Sequence, residues 1–248
     1  MIILKTEREI EIIRSNGVIL AETLKLVGEK IAPGIRTIEL DKLAEEYIRC
    51  QSAIPAFKGY RGYPANICVS IDNEIVHGIP GNRTIKEGQI VSVDIGVLKD
   101  GYYADAAYTF SAGEISPEKE KLLQVAENAL EKGIQMAKAG NHLGDVSYVI
   151  QSLAEENNFS VVRDLVGHGI GTNMHEEPQI PNFGSLGQGI VLKEGMVLAI
   201  EPMVNTGGFE IETLEDNWTV VTKDGSVSAH FEHTIAITKN GPHILTSL

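Results

Sequence analysis

The chain has 248 residues, of which 43% are hydrophobic and 22% charged, a composition typical of a soluble globular protein. Its 34 acidic side chains exceed its 21 lysines and arginines, and the net charge of −13 argues against a protein that binds nucleic acid through a basic surface. The two cysteines, Cys50 and Cys68, cannot form a disulfide framework, and no segment reaches the ~20 apolar residues of a membrane span, so we expect a soluble cytoplasmic protein.

The first part of the chain is predicted to form two helices and then strands. Thr6 and Glu9 make a capping-box pattern ahead of an apolar series that reaches Ile31, and the residues Ala32-Pro33-Gly34 are expected to end that helix. Thr37 is predicted to cap a second helix. Three strand-like runs follow, ICVSI, IVSVDIGVL and YYADAAYTF.

The same order of elements then starts again. Ser116 and Pro117 predict the start of a helix that runs to about Ala139 and stops at Gly140. A shorter helix is predicted through Val146 and Leu153. Four more strand-like runs follow, VVRDLV, MVLAIEPMV, WTVVT and FEHTIAIT.

This restart indicates an internal duplication. IKEGQIVSVD, residues 85–94, matches LKEGMVLAIE, residues 192–201, and both segments end in an acid. We therefore predict an α+β fold in a single domain, 1–248, built from two halves, approximately 1–112 and 113–248, related by a pseudo-two-fold axis.

The segment DIGVLKDGYYAD, residues 94–105, opens and closes on an acid. Asp100-Gly101 is a two-residue hairpin signal, which puts Lys99 opposite Tyr102. Because side chains alternate along a strand, Asp94 and Asp105 are then diagonal neighbours on one face of the sheet. Two charges that close repel each other, so either one carboxyl is protonated or a cation lies between them.

Further acids and two histidines complete a candidate metal site. If the duplication is correct, Glu201 corresponds to Asp94, and Glu232 is a fourth acid in an apolar strand-like run. The segment VGHGIGTNMHEEPQIP supplies His168, flanked by glycines, and His175. Four carboxylates and an imidazole suit two divalent cations such as Mn²⁺, Fe²⁺ or Co²⁺. The alternative is a paired acid cluster with a core histidine.

The remaining histidines give weaker signals. His77 lies at a predicted strand end, where a working residue and an exposed loop residue are about equally expected. His230 would share a face with Glu232 and so line the site, whereas His233 would point the other way. His142 and His243 are expected at the surface.

Long segments of the sequence resemble the type I methionine aminopeptidases of bacterial type. They are GYRGYPANICVSIDNEIVHGIP, the aspartate pair, GHGIG, HEEPQIP, AIEPM and FEHTIAIT. The resemblance implies the pita-bread fold, with antiparallel sheet and outer helices around a central dimetal site. Because the chain begins with its first catalytic-domain helix, we expect no N-terminal zinc-binding extension.

The resemblance also assigns roles by position. It implies five metal ligands: Asp94, Asp105, His168, Glu201 and Glu232. Of these, Asp105 and Glu232 would bridge two divalent ions, which the ligand set allows to be Mn, Fe, Co or Zn. It implies a methionine pocket formed by Phe57, Tyr60, Tyr63, Cys68 and Trp218.

The implied reaction is removal of an N-terminal methionine by metal-activated water. His77, His175 and Glu201 would be catalytic, and the two histidines would also contact the substrate. The implied substrates are nascent or newly made chains with a small second residue. We expect a monomer with transient ribosome contact and no membrane or direct nucleic-acid binding.

The sequence leaves two alternative functions open. One is another peptidase of the same fold, such as a prolidase or aminopeptidase P, which usually carries an extra N-terminal domain. The other is a non-catalytic binding protein on this fold. Such proteins typically lose ligand positions, and all five are filled here.

Overall fold

A computed structural model describes residues 2–247. The four helices are α1 Glu7–Gly28, α2 Thr37–Cys50, α3 Pro117–Met136 and α4 Leu143–Glu156. The strands of the first half of the chain are β1 Ile54–Pro55, β2 Cys68–Ile71, β3 Glu74–Val76, β4 Gln89–Lys99 and β5 Tyr102–Ala112. Those of the second half are β6 Ser160–Val161, β7 Val166–Gly169, β8 Glu176–Pro181, β9 Val197–Ile200, β10 Met203–Asn205, β11 Ile211–Thr213, β12 Val220–Thr222, β13 Ser228–His230, β14 His233–Thr238 and β15 Gly241–Ile244.

The helix starts at Thr6 and Ser116 are confirmed, with the Thr6–Glu9 capping box formed and Pro117 in the first turn of α3. The predicted cap at Thr37 is wrong by one residue, because Arg36 is the N-cap and the Thr37 hydroxyl instead bonds the backbone of Gly81. Helix α3 ends at Met136 rather than near Ala139. Its last carbonyl accepts a hydrogen bond from the Asn141 side-chain amide, 2.9 Å away, which closes the helix earlier than the glycine.

The strands form four antiparallel groups. Strand β4 pairs with β1, β2 and β5, while β15, β14, β9, β7 and β8 form a five-stranded sheet in that order. Two three-stranded groups, β13-β10-β6 and β11-β12-β3, complete the set. The antiparallel sheet expected from the sequence is therefore present, and the four helices pack against it.

The β4–β5 hairpin has the predicted register. Lys99 pairs with Tyr102, and the turn residues Asp100 and Gly101 both have positive φ, 51° and 79°, as a tight hairpin turn of this kind requires. Asp94 pairs with Ala107 and Asp105 pairs with Gly96, which makes the two aspartates diagonal neighbours on one face.

Two predicted strands are interrupted at their acids. The run MVLAIEPMV divides into β9 and β10 at Glu201, because Pro202 has no N–H to continue the ladder. Its neighbour FEHTIAIT begins as a strand only at His233, so Glu232 lies between β13 and β14 and not inside a strand. The two gaps face each other, since Ile200 pairs with His233 and Met203 pairs with His230. The run VVRDLV is likewise a strand only at its ends.

Two large apolar clusters lie under the helices. One is built mainly from α1, α2, β2, β4 and β5, and the other mainly from α3, α4, β9 and β14. The internal duplication and the division near residue 112 remain predictions. Among residues 2–247, no helix combines the length and the apolar character that crossing a bilayer requires.

Candidate active site and metal centre

Asp94 and Asp105 line the same pocket and form what is called here its acidic floor. Burial raises the pKa of Asp94 to about 7. Burial, followed by the nearby charges of Glu232 and Asp94, raises the pKa of Asp105 well above its ordinary value. The neutral form is therefore favoured when no cation is present. This is the electrostatic conflict that the sequence predicts for two acids on one face.

Glu232 is fixed against this floor through backbone contacts. Its N–H donates to the Ala107 carbonyl, 2.9 Å away, and Ala107 is the residue that pairs with Asp94. The Thr234 hydroxyl donates to the Asp105 carbonyl at 2.7 Å and accepts from the Asp105 N–H at 3.0 Å. These bonds join β5 to the start of β14, so Glu232 and Asp105 meet although 127 positions separate them in the chain.

His168 and Glu201 close the cluster from the five-stranded sheet. His168 Nε2 lies 3.6 Å from Glu201 Oε1 and 3.9 Å from Asp105 Oδ2. One potential ligand atom from each of Asp105, His168 and Glu232 lies within 4.8 Å of the other two. Burial raises the pKa of Glu201, and the charges of Asp105 and Asp94 raise it further. Burial also raises the pKa of Glu232, and the charge of Glu201 adds to this effect.

The glycines beside His168 allow neighbouring backbone to approach closely. A Cβ at Gly167 would lie 2.5 Å from the Ala199 carbonyl oxygen, and one at Gly169 would lie 2.3 Å from that of Glu177. His168 is thus held on a central strand between two close neighbours. Its Nδ1 is 2.9 Å from the Gly169 carbonyl, which leaves Nε2 facing the acids.

The donor set fits a divalent cation. Asp94 Oδ1, Asp105 Oδ1 and Glu232 Oε1 are buried and have no hydrogen-bond partner among residues 2–247. In the described part of the chain, the bases within ion-pair distance of these acids and Glu201 are the imidazoles of His168 and His230. Buried acids without a compensating partner are costly, and oxygen and imidazole donors suit Mn²⁺, Fe²⁺, Co²⁺ or Zn²⁺.

His77 and His175 lie beside the acids. The Tyr60 hydroxyl is 2.9 Å from His175 Nδ1, and the two rings stack with centroids 5.4 Å apart. Burial, followed by the neighbouring His168 and Arg61, lowers the pKa of His175 to about 3, so its imidazole is neutral near pH 7. Burial also lowers the pKa of His77, which has a φ of 61° directly after β3. A non-glycine residue with positive φ is uncommon and often marks a functional position.

The apolar wall of the pocket is aromatic. Tyr63 packs edge-on against Trp218 with centroids 5.1 Å apart, and against Phe57 with centroids 6.4 Å apart. The Tyr63 hydroxyl lies 3.1 Å from the Ile67 carbonyl oxygen and 3.0 Å from that of Gly78, so it can donate to either one. Cys68, buried and free, pairs with Asp94 across β2 and β4. The apolar wall is therefore directly adjacent to the acids, through the pairing of Cys68 with Asp94.

The pocket is lined by all twelve residues that the resemblance assigns to the site: Phe57, Tyr60, Tyr63, Cys68, His77, Asp94, Asp105, His168, His175, Glu201, Trp218 and Glu232. Arg61, which the sequence analysis did not single out, also lines it. The available signal was a charged residue placed between aromatic residues and close to two glycines, in the segment GYRGY.

The other histidines lie broadly as expected. His230 faces the acids, with Nε2 3.7 Å from Glu201 Oε2 and 4.0 Å from Glu232 Oε2. His233 Nδ1 is 2.8 Å from the Thr246 hydroxyl, and His243 is exposed. His142 is only half-exposed and is the N-cap residue of α4.

A family model described as metallopeptidase family M24 matches residues 11–239. The chain is 55% identical to the methionine aminopeptidase of Clostridium perfringens over 246 residues, which is 99% of both chains. It is 54% identical to methionine aminopeptidase 1 of Bacillus subtilis, again over 99% of each.

Solved structures agree with these matches. The methionine aminopeptidase of Thermotoga maritima superposes with a TM-score of 0.99 at 48% identity and covers 100% of both chains. A prolidase from Pyrococcus horikoshii has a TM-score of 0.80 at 23% identity. The match covers 99% of this chain and 63% of the prolidase, and it shows a shared fold only.

Proposed function

The chain belongs to metallopeptidase family M24, and from this premise we infer that it is a metal-dependent methionyl aminopeptidase with the pita-bread fold. It removes the N-terminal methionine from peptides. The observation that carries this inference is a single pocket in which a buried acid–imidazole cluster adjoins an aromatic wall. Such a pocket can hold a peptide's first side chain next to a group that activates water.

Divalent metal is the expected cofactor, and we propose two ions held by Asp94, Asp105, His168, Glu201 and Glu232. The three buried carboxylate oxygens without partners support this proposal. When bound, the ions would supply Lewis-acid activation of water and of the scissile carbonyl. The proposal leaves the identity of the ions open, because the donor set accepts several.

Glu201 is proposed as the proton carrier. Its carboxylate lies in the acid cluster, 3.6 Å from His168 Nε2, so it could accept a proton from water and pass it to the leaving amine. His175 and His77 are proposed to donate hydrogen bonds to the developing oxyanion and the peptide nitrogen, in separate or shared roles. The neutral state of His175 supports this, since a neutral imidazole still carries one N–H.

We propose that the aromatic wall makes the enzyme specific for methionine as the first residue of the substrate. Phe57, Tyr60, Tyr63, Cys68 and Trp218 would surround an unbranched thioether, and contacts between sulfur and aromatic rings are favourable. We further propose that the residue after methionine must be small. The substrates would then be nascent or newly made chains, handled by a monomer with at most transient ribosome contact.

The test is hydrolysis of Met-Ala-Ser by metal-stripped protein, with Mn²⁺, Fe²⁺, Co²⁺ and Zn²⁺ added back separately. We expect no turnover in chelator and recovery with at least one ion. Cleavage of a Xaa-Pro peptide in preference to Met-Ala-Ser would favour a prolidase-type activity instead. Metal binding without cleavage of either peptide would favour a non-catalytic homologue.

A further inference from the structure

His230 occupies an unusual place at the end of β13. Its side chain is 2% exposed, and neither ring nitrogen has a hydrogen-bond partner among residues 2–247. Its backbone is held on both sides by the Thr109 hydroxyl, which accepts from the His230 N–H at 3.0 Å and donates to the His230 carbonyl at 2.7 Å. The ring is therefore fixed in position by the strand, while its polar atoms stay unpaired.

The neighbouring histidines differ in this respect. Nδ1 of His168, His175 and His233 lies within hydrogen-bond distance of the Gly169 carbonyl, the Tyr60 hydroxyl and the Thr246 hydroxyl, respectively. Nearly all buried polar side-chain atoms in proteins have a partner, and an exception calls for a ligand, an ion or a water molecule. The unpaired Nε2 of His230 therefore indicates a missing partner inside the acid cluster.

The distances from His230 Nε2 to the neighbouring carboxylates fit a metal ion as the missing partner. His230 Nε2 lies 3.7 Å from Glu201 Oε2 and 4.0 Å from Glu232 Oε2, which is too long for hydrogen bonds. Atoms that share one divalent ion, each about 2.1 Å from it, lie about 3 to 4 Å apart. His168 Nε2 has the same relation to Glu201 on the opposite side, 3.6 Å from Oε1. The two oxygens of Glu201 thus each face an imidazole.

We propose that His230 is a further nitrogen ligand of the metal centre, beyond the five positions assigned above, so that the centre contains two imidazoles with Glu201 between them. This inference rests on the proposed two-metal function. It implies a centre richer in nitrogen than the five-residue set, which favours Fe²⁺, Co²⁺ or Zn²⁺ over Mn²⁺.

The experiment counts the coordinated imidazoles. Metal-stripped protein with isotope-labelled histidine is loaded with Co²⁺ in twofold molar excess, and proton NMR records the strongly shifted N–H signals of cobalt-bound rings. We expect two such signals in the unaltered protein, one of them lost in His230→Gln and the other in His168→Gln. The control is His243→Gln, an exposed histidine, which should keep both.

Calorimetry gives a second readout. We expect His230→Gln to bind Co²⁺ at least roughly tenfold more weakly than the unaltered protein, as for other changes close to a metal. A single shifted imidazole signal in the unaltered protein overturns the proposal, and this result needs no variant to fold. An unchanged Co²⁺ affinity in His230→Gln overturns it as well.

The ligand role of His230 and the aminopeptidase function can be tested separately. Unaltered protein that cleaves Met-Ala-Ser with Co²⁺ but has one bound imidazole removes His230 from the ligand set and leaves the enzyme assignment in place. Unaltered protein that neither binds Co²⁺ nor cleaves the peptide removes the assigned function itself.

Discussion

The ammonium group of Lys5 forms a buried ion pair with the carboxylate of Glu176, the residue that follows His175. Their side chains are 3% and 5% exposed. The other Glu176 oxygen accepts from the Asn173 N–H at 3.1 Å, while the Lys5 N–H donates to the Gly195 carbonyl at 2.7 Å. The segment before α1 thus contacts and stabilises the loop that carries His175.

Lys5→Met should destabilise the protein and slow catalysis together. It leaves the Glu176 carboxylate buried without its partner, a change that typically costs about 3–5 kcal/mol of unfolding free energy. We expect a clear fall in melting temperature and in kcat, both partly restored in the Lys5→Met/Glu176→Gln double variant.

Lys58→Met is the control for that experiment. Lys58 is 51% exposed and lies 3.9 Å from Glu45, so its loss should change stability by less than about 1 kcal/mol. A Lys5→Met protein with unaltered melting temperature and kcat would show that the ion pair does not support the loop.

Asp105→Asn should lose metal and activity together, because Asp105 lies within reach of both His168 and Glu232 and its Oδ1 has no other partner. Metal content after dialysis and hydrolysis of Met-Ala-Ser measure the two effects. Asp100→Asn is the matched control, since Asp100 is an exposed turn residue and asparagine tolerates its positive φ. Full metal occupancy in Asp105→Asn would contradict a bridging role.

His175→Ala should fold and keep its metal but turn over slowly. Removal of one donor to an oxyanion commonly lowers kcat on the order of 10²–10³. Tyr60→Phe removes only the hydroxyl that lies 2.9 Å from His175 Nδ1, so we expect a smaller loss. Steady-state kinetics together with metal analysis test this prediction, and normal turnover of His175→Ala would refute the role.

The metal-stripped protein should become less stable as pH rises from about 6.5 to 8. Burial raises the pKa of Asp94 to about 7, and those of Asp105, Glu201 and Glu232 are also raised. A raised carboxyl pKa favours the folded state only while the group is protonated, so that contribution is lost as pH rises through the folded pKa. His175 and His230 have lowered pKa values, and their contribution to stability changes mainly below this window.

Melting temperatures of stripped and metal-loaded protein across this range measure the effect. We expect the difference between the two forms to widen with pH, and the slope for stripped protein to be shallower in Asp105→Asn. A stripped protein whose melting temperature rises toward pH 8 would contradict the prediction.

Arg61 should give the enzyme a charge preference beyond the first two substrate residues. It is exposed at the pocket, has a φ of 49°, and makes no ion pair within residues 2–247. We expect kcat/KM for Met-Ala-Glu to exceed that for Met-Ala-Lys by about two- to fivefold, the range of an exposed ion pair. Arg61→Gln should bring the ratio close to one, and a ratio unaffected by this change would exclude the contact.

The sequence predicted which residues meet in one pocket better than it predicted the strands. The Asp100-Gly101 turn determines the register of β4 and β5, so the relation of Asp94 to Asp105 could be derived from local rules. The interruption at Glu201 follows from the local Pro202, whereas the one at Glu232 depends on partner strands distant in the chain. The cap at Arg36 was missed for the same reason, since Thr37 bonds Gly81. Arg61 was missed although the segment GYRGY offered a signal, because only the fold shows that it lines the pocket.

The Glu232 N–H donates to the carbonyl of Ala107 in β5, and Ala107 pairs with Asp94 in β4. Backbone hydrogen bonds to the sheet therefore set the spacing of these two acids. The pocket's rim is different, because the Tyr60–Gly62 turn and the 171–175 segment are short connections outside the sheets. Substrate preference can therefore differ with the residues of the rim, while the spacing of the acids stays the same.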